Sequence, residues 1–444
     1  MNFDESVKYL YGLGNEVLAM KLGLENIGKL LSALGDPQKH YLNVQIAGTN
    51  GKGSTVAFLE SICLEAGIKT AATTSPHLIS VTERVRIDGK EIGEEDFARH
   101  ASIVRETSEK LVESGVLETV PTYFEQVTAI ALNAFAEAKV ELAIIETGLG
   151  GRFDATTAAN AEVVGITSID YDHQRILGNT LAEIAAEKAA IIREHTKVVV
   201  APQKAEALEI ILKQCRAKGV KPVLVSADFI IKKTSHKKGK SAISVNFSTE
   251  NDVYHDLNLG LAGRHQAVNA LTAVNLAEYL REFGCRIEKE NIWNGLQNTR
   301  HKGRLEFYDG ILFDGAHNVA GAQALRDYLK EFQGLDLIAM IFGTMKDKEI
   351  DEIAEILFPV AENLILTEPD NPRVKSVGEL KEIASKYIKA DKIFSVPDVA
   401  DAINSARRIA GDYPASKRHL ILVTGSLYLV GEAQKILKET NPNS

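Results

Sequence analysis

The sequence predicts an α/β fold in which one mostly parallel, helix-covered sheet is followed by a second, smaller doubly wound domain. Three observations carry this. Short apolar runs of strand character alternate with amphipathic helical stretches from residue 42 onward, the pattern of parallel strands joined by crossover helices. The alternation stops at Asn298 to Lys302, a polar stretch with no apolar period, and resumes after Gly303 for about 140 residues, an ordinary domain length. Glycine-punctuated polar segments follow one strand after another, and open parallel sheets bind ligands beyond the carboxyl ends of their strands. The expected domains are residues 1–298 and 303–444.

The elements read in order. The first 42 residues are helical and end in a turn at Gly35-Asp36-Pro37. LNVQIAG is a short buried strand, and KGSTVAFLESICLEAG is a helix with Val56, Leu59, Ile62 and Ala66 on one stripe. ELAIIE (141–146), EVVGITSI (162–169) and KVVVAP (197–202) are strands, and FEQVTAIALNAFAEA (124–138) is a helix. Residues 229–247 form a hairpin whose basic tip, with five lysines, is a solvated turn. In the second half ILFD, LIAMIFG, NLILTEP, KIFSV and HLILVTG are strands, each followed by a helix.

Totals exclude several function classes. The chain has 444 residues, 45% hydrophobic and 25% charged, as in ordinary globular proteins. A net charge of −9 argues against nucleic acid and anionic membranes as partners, since both need a basic face. Cys63, Cys215 and Cys285 lie far apart and read as buried free thiols. The N-terminus carries acidic residues where a signal peptide is basic, and no apolar run approaches the roughly 20 residues of a membrane span. A cytoplasmic protein is expected.

The segment GTNGKGS, between a strand and a helix, departs from the Walker A spelling G-x-x-x-x-G-K-[ST]. Ile46 stands where the first glycine belongs, Gly53 follows Lys52, and the hydroxyls arrive at Ser54 and Thr55. Its context is still that of a phosphate loop, with backbone N–H groups and a helix N-terminus facing an anion. Lys52 would neutralise phosphate charge, and Ser54 would bond phosphate or a metal-bound water; a plain glycine turn is the alternative. Glu146 and His173 end two further strands and could join the loop in holding Mg²⁺, which takes few protein ligands. Against this, imidazole is an unusual Mg²⁺ ligand, and Glu146 could be a surface carboxylate. Asp314, His317 and Asn318 end a strand of the second domain, which points to a site in the interdomain cleft.

Lys188 lies in NTLAEIAAEKAAIIRE, where Thr180 and Glu183 form a capping box. Leu181, Ile184 and Ala185 make a buried stripe, and Lys188 falls on it, seven residues after Leu181. Such a lysine must snorkel, find an anion or lose its proton. Neutral, it could take up CO₂ as a carbamate; pattern alone favours snorkelling.

GTNGKGS, TSPHL (74–78), ERVRIDG (83–89), TYFE (122–125), ETGLGGRFDAT (146–156), ITSIDYDH (166–173), LGNTLAEIAAEKA (177–189), GRHQAVNA (263–270), GRLE (303–306), DGAHN (314–318) and TGSLYLVGE (424–432) come in one order. With them the sequence resembles folylpolyglutamate synthase/dihydrofolate synthase, a branch of the Mur ligase superfamily, from about residue 22 to near the C-terminus. The resemblance implies an N-terminal P-loop-containing, Mur-ligase-type ATP-binding domain and a smaller Rossmann-like C-terminal domain on the glutamate side of the cleft. It implies an ATP-dependent ligase that adds L-glutamate to dihydropteroate or to a reduced folate through an acyl phosphate. ATP would be held by Thr49, Asn50, Gly51, Lys52, Gly53 and Ser54 and by Asn269, Arg304 and Asp314. Ser75, Glu146 and His173 match magnesium ligands, for two ions. Lys188 matches a lysine carried as an N6-carboxylate. Thr122, Tyr123, Phe124, Glu125, Phe153, Asp154 and Ala155 match the lining of the pterin pocket, and His317 would position glutamate or the acyl phosphate. The substrates are small molecules and the family suggests a monomer.

The sequence departs from the family at Thr157 in DATT, at Asp170 close to the metal site in SIDYDHQ, in EKAAI, at Val319 after DGAHN and at Lys302 before GR. The first two border the acceptor pocket. Three other readings remain open: a Mur-type amide ligase with another carboxylate acceptor, a P-loop NTPase or kinase, and a binding protein without catalysis.

Overall fold

The structure is a computed structural model that describes residues 1–14, 23–226, 229–237, 240–331, 335–413 and 418–440. Eight strands form the first sheet: β1 (Leu42–Ala47), β2 (Thr70–Thr73), β3 (Arg86–Ile87), β4 (Lys90–Glu91), β5 (Leu142–Glu146), β6 (Val163–Ile166), β7 (Lys197–Val200) and β8 (Pro222–Leu224). Their order is β4-β3-β2-β5-β1-β6-β7-β8, parallel from β2 to β8 and antiparallel at the β3–β4 edge. A separate antiparallel sheet holds β9 (Ile230–Lys237), β10 (Lys240–Ser248) and β11 (Val253–Leu259). The third sheet holds β12 (Glu306–Tyr308), β13 (Ile311–Asp314), β14 (Leu335–Phe342), β15 (Leu364–Leu366), β16 (Ile393–Ser395) and β17 (Arg418–Thr424), in the order β12-β13-β17-β14-β15-β16. Only β12 there runs antiparallel, at the edge.

The central strands are apolar on both faces because both are covered. Leu142 and Ile144 of β5 face one core with Val44 and Ile46 of β1. Ala143 and Ile145 face the opposite core, packed against the helices Phe3–Gly12, Glu25–Ala33, Glu94–Glu113 and Tyr123–Glu137. In the C-terminal sheet Leu312 and Phe313 part in the same way into two cores. No helix among the described residues is long and apolar enough to cross a membrane.

Three expectations are refined. The 229–247 hairpin gains a third strand, β11, because Ile243, Val245, Phe247, Tyr254, Leu257 and Leu259 bury one face of this small sheet on the first core; residues 238–239 of its expected tip lie outside the described residues. The helical N-terminus comprises Phe3–Gly12 and Glu25–Ala33, with 15–22 outside the described residues. The strand expected over 162–169 stops at Ile166, because the carbonyl of Ser168 turns to accept the N–H groups of Thr49 and Asn50 at 2.9 and 3.1 Å. Cys63 and Cys215 are buried free thiols, and Cys285 is half-buried.

The helix Leu427–Thr440 lies so close to residues 75–80 that a Cβ on Gly431 would sit 1.9 Å from the carbonyl oxygen of Leu78.

Candidate active site

The loops after β1, β2, β5, β6 and β13 converge on one cleft. Its walls include Gly48 to Ser54, Ser75, Glu146, Asp172, His173 and Lys188 from the first half, and Arg304, Asp314, His317 and Asn318 from the second. Gln266 and Asn269, at the start of the helix His265–Glu282, close one side.

The phosphate loop is held by its own backbone. Gly51 caps the helix Lys52–Glu65 with φ of +88°, a left-handed conformation that glycine adopts without strain. Thr49 Oγ1 donates to the Asp170 carbonyl at 3.0 Å and accepts the Asp170 N–H at 3.1 Å, so its side chain anchors the loop to the segment after β6. Lys52 Nζ folds back onto the Gly48 and Thr49 carbonyls at 3.1 and 3.3 Å. Ser54 is buried, and its Oγ accepts a 3.2 Å hydrogen bond from Gln266 Nε2. Asn269 Nδ2 donates to Gln266 Oε1 at 2.9 Å. A Cβ on Gly51 would fall 2.2 Å from Asn269 Oδ1. Gly51→Ala is therefore expected to lower ADP affinity about tenfold or more by calorimetry, since strain and clash each cost on the order of 1–3 kcal/mol; unchanged affinity would show that the loop can move aside.

Glu146 ends β5, is buried, and accepts the Ser75 N–H at 3.1 Å. Burial raises its pKa, opposed by Lys52, the Ser75 N–H, Arg304 and Arg86. His173, with φ of +51°, caps the short helix Gln174–Leu177. Desolvation pushes its imidazole down to about 4, so it is neutral near pH 7. Among the described residues no three His, Cys, Asp or Glu side chains group as a metal cage. A buried carboxylate, a serine and a neutral imidazole beside a phosphate loop suit a metal that keeps waters and phosphate oxygens as ligands.

Lys188 is buried on the expected stripe, its helix opened by the Thr180–Glu183 capping box. It does not snorkel: Nζ reaches inward to the Gly48 carbonyl at 2.8 Å. Burial, then the neighbouring Lys52, push its pKa down to about 7.

Asp314 is buried and accepts the Leu305 and Ala316 N–H groups at 3.1 and 3.0 Å. Burial raises its pKa, with Arg304 first among the groups that oppose this. His317 Nδ1 is 2.8 Å from the Gly315 carbonyl and Nε2 is 3.6 Å from Asp172 Oδ2. Against burial, His317 and Lys348 hold the Asp172 carboxyl far below the usual carboxylate range.

A second cavity adjoins the cleft through Ser75, Pro76, Gly148, Leu149, His173 and His317. Thr122, Phe124, Glu125, Phe153, Asp154 and Ala155 line its N-terminal wall. The Phe124 ring lies over Gly148, where a Cβ would be 2.5 Å from Cζ. Glu125 Oε2 accepts the Thr122 N–H and hydroxyl at 2.8 Å each, whereas the buried Oε1 has no hydrogen-bond partner among the described residues. Asp154 closes its own loop by accepting the Leu149 N–H at 2.7 Å and the Thr156 N–H at 3.0 Å. Tyr123 is absent from this wall: it is buried in the core, stacked on Tyr11 at 5.8 Å and beneath Arg84 at 5.5 Å. The facing wall carries Thr344, Lys348, Arg373 and Tyr428. Sequence reasoning missed these; the signal was their place just after β14, β15 and β17. It also missed partly buried His301, whose Nε2 would be 3.0 Å from a Cβ on Gly53, because it sits in the polar stretch read as a boundary.

The departures have structural causes. Thr157 Oγ1 donates to the Gly151 carbonyl at 2.7 Å and accepts from Gln45 Nε2 at 2.9 Å, which closes the glycine loop. Asp170, expected close to the metal site, turns its side chain to Lys204 at 2.7 Å and meets the phosphate loop through its backbone. Val319 begins the helix Val319–Lys330 behind an Asn318 cap, and Lys302 pairs with Glu91 at 2.7 Å.

Residues 46–277 match the Mur ligase middle domain, and residues 303–427 match the Mur ligase, glutamate ligase domain. The chain is 34% identical over 434 residues to the dihydrofolate synthase/folylpolyglutamate synthase of Bacillus subtilis, covering 96% of this chain and 97% of that one. It is similar to a Mycobacterium tuberculosis folylpolyglutamate synthase complexed with ADP and AMPPCP (TM-score 0.89, 30% identity, 98% of this chain and 99% of that). It is also similar to the E. coli FolC in complex with DHPP and ADP (TM-score 0.84, 29% identity, 99% of each chain).

Proposed function

Since the chain belongs to the Mur ligase family, in its folylpolyglutamate synthase/dihydrofolate synthase branch, and is an ATP-dependent glutamate ligase of folate metabolism, we propose how its residues share the work. The observation that carries the reading is a single cleft in which a phosphate loop, Glu146 and Lys188 from one half face Arg304, Asp314 and His317 from the other.

ATP lies on Thr49 to Ser54 with its phosphates toward Lys52 and Arg304 and its nucleoside toward Asn269 and Asp314. Ser75, Glu146 and His173 would hold Mg²⁺, two ions in all, which would offset the charge that develops during transfer. The acceptor, dihydropteroate or a reduced folate, lies in the adjoining cavity with its flat ring system against Phe124. Its carboxylate attacks the γ-phosphorus of ATP, forming the acyl phosphate as ADP departs. L-Glutamate lies on the facing wall, its carboxylates toward Lys348 and Arg373. Its amine attacks the acyl carbon, phosphate leaves, and the amide forms. His317, between the two cavities, positions the glutamate or the acyl phosphate. Phosphoryl transfer needs placement and charge neutralisation more than covalent help from the protein, and this cleft supplies both.

Lys188 carries an N6-carboxylate. Its amine, neutral in about half of molecules at a pH equal to its pKa of about 7, adds to CO₂ with loss of one proton. The carbamate then replaces a buried cation with an anion beside Lys52. The functional halves are residues 1–298 and 303–444, acting on small-molecule substrates as a cytoplasmic monomer; completion of the site within one chain supports the monomer.

Mass analysis of products from Mg-ATP, L-glutamate and either dihydropteroate or tetrahydrofolate tests the reading. One glutamate added to dihydropteroate and further glutamates added to the folate are expected. Product in one tube assigns one activity. ADP release independent of acceptor and glutamate would overturn the acceptor assignment.

A further inference from the structure

We propose that Asp172 is a positioning residue that fixes Lys348 against the N-terminal half, and that the carboxylate of L-glutamate takes over this lysine on binding. The inference rests on the reading of the facing wall as the glutamate side.

Asp172 lies in the segment after β6 and gathers donors from both halves of the chain. Its Oδ1 accepts Lys348 Nζ at 2.7 Å and the His173 N–H at 2.9 Å. Its Oδ2 accepts Asn318 Nδ2 at 3.3 Å and faces His317 Nε2 at 3.6 Å. His173 Nε2 lies 3.8 Å from Oδ1. Lys348, Asn318 and His317 all come from the second half. The same Asn318 amide donates to Asn50 Oδ1 of the phosphate loop at 3.0 Å, so one network joins the loop to the facing wall. Gln174 and Glu349, each next to a member of this network, are also hydrogen-bonded across the halves.

The location gives the pair its meaning. Asp172 lines the phosphate cleft and Lys348 lines the acceptor cavity. Both side chains are only 10% exposed, so the ion pair forms part of the partition between the two spaces. A lysine ammonium has three donors that rotate independently. It can therefore pass from Asp172 to an incoming carboxylate of the same chemistry. Asp172 keeps the Asn318 amide and the His173 N–H as donors, so its carboxylate stays hydrogen-bonded in the exchange. The lysine is thus already in place at the glutamate subsite, and occupancy replaces one carboxylate by another.

The test uses the full chain with Asp172→Asn, which keeps shape and the acceptor for the His173 N–H but removes the charge. The KM for L-glutamate is expected to rise about tenfold or more, with the KM for ATP within about threefold, since truncated buried pairs act mainly on the partner they hold. Lys348→Met breaks the pair from the other side and should give the same selective rise. The double variant should add less than about twofold, because paired residues are non-additive. A ligand-free readout runs alongside: acetic anhydride should label the Lys348 peptide several times faster in Asp172→Asn than in the unaltered protein. Equal labelling, equal rises in both KM values, or fully multiplicative single effects would each overturn the proposal. Failure of the unaltered protein to ligate glutamate would instead sink the functional reading, and the labelling experiment would still decide the role of Asp172.

Discussion

Replacing Lys188 by methionine is expected to remove nearly all ligation while leaving the protein at least as heat-stable as before. The two effects have one cause. Lys188 is buried and its pKa falls from 10.5 to about 7; at roughly 1.4 kcal/mol per unit, the amine costs the fold on the order of 5 kcal/mol below neutral pH. The sign follows from proton counts. Between about 7 and 10.5 the unfolded chain holds this proton and the folded chain does not, so stability rises with pH across that window. Methionine removes the penalty and keeps most of the volume, at the loss of one hydrogen bond to the Gly48 carbonyl. Differential scanning calorimetry without bicarbonate should show a melting temperature about 2–5 °C higher for the variant at pH 7, with the gap closing toward pH 10. Activity should fall by about three orders of magnitude. Partial rescue of Lys188→Ala by formate or acetate would mark the carbamate, since the added anion fills the vacated place. An undiminished variant would remove Lys188 from the mechanism.

Glu146→Gln is expected to lower both ligation and acceptor-dependent ADP release by about 10²–10³. Glutamine keeps the acceptor for the Ser75 N–H, so the loop after β2 should keep its place. What is lost is the negative charge of a buried carboxylate that faces Lys52, Arg304 and Arg86. On the proposed assignment the metal would then be held by neutral groups, and half-saturation by MgCl₂ should move up by about tenfold. A titration of activity against MgCl₂ at fixed ATP separates the two effects. An unchanged metal response with lower turnover would make Glu146 an electrostatic neighbour and not a ligand.

Much of this was legible in the sequence, and the limits have physical reasons. Alternation of apolar runs revealed the parallel strands because β1, β5, β6 and β13 are buried on both faces. The antiparallel edges were not legible: β3 and β4 have two residues each and β12 has three, too short for any period. Thr180 and Glu183 announced a helix start, and the buried stripe placed Lys188 inward. The stripe alone could not show that the side chain points at the phosphate loop, since that depends on a carbonyl 140 positions away. Position in a motif also failed to give direction for Tyr123, which a helical turn carries into the core while Phe124 faces the cavity. Asp172 was invisible for a related reason: its value lies in partners from a sheet more than 100 residues downstream.

The approach of Gly431 to Leu78 has a mechanical consequence. Backbone meets backbone there, since a Cβ on Gly431 would fall 1.9 Å from the Leu78 carbonyl oxygen. With the Leu78 side chain packed on the C-terminal core, the two halves are in close contact at this point. A narrowing of the cleft would then be a swing about it, as a lid swings on its fulcrum. Leu78 lies three residues beyond Ser75, so that loop sits near the axis and travels little. Groups with a longer lever arm travel further for the same rotation. Such a swing would open the nucleotide side for exchange while the loop that carries Ser75 keeps its alignment.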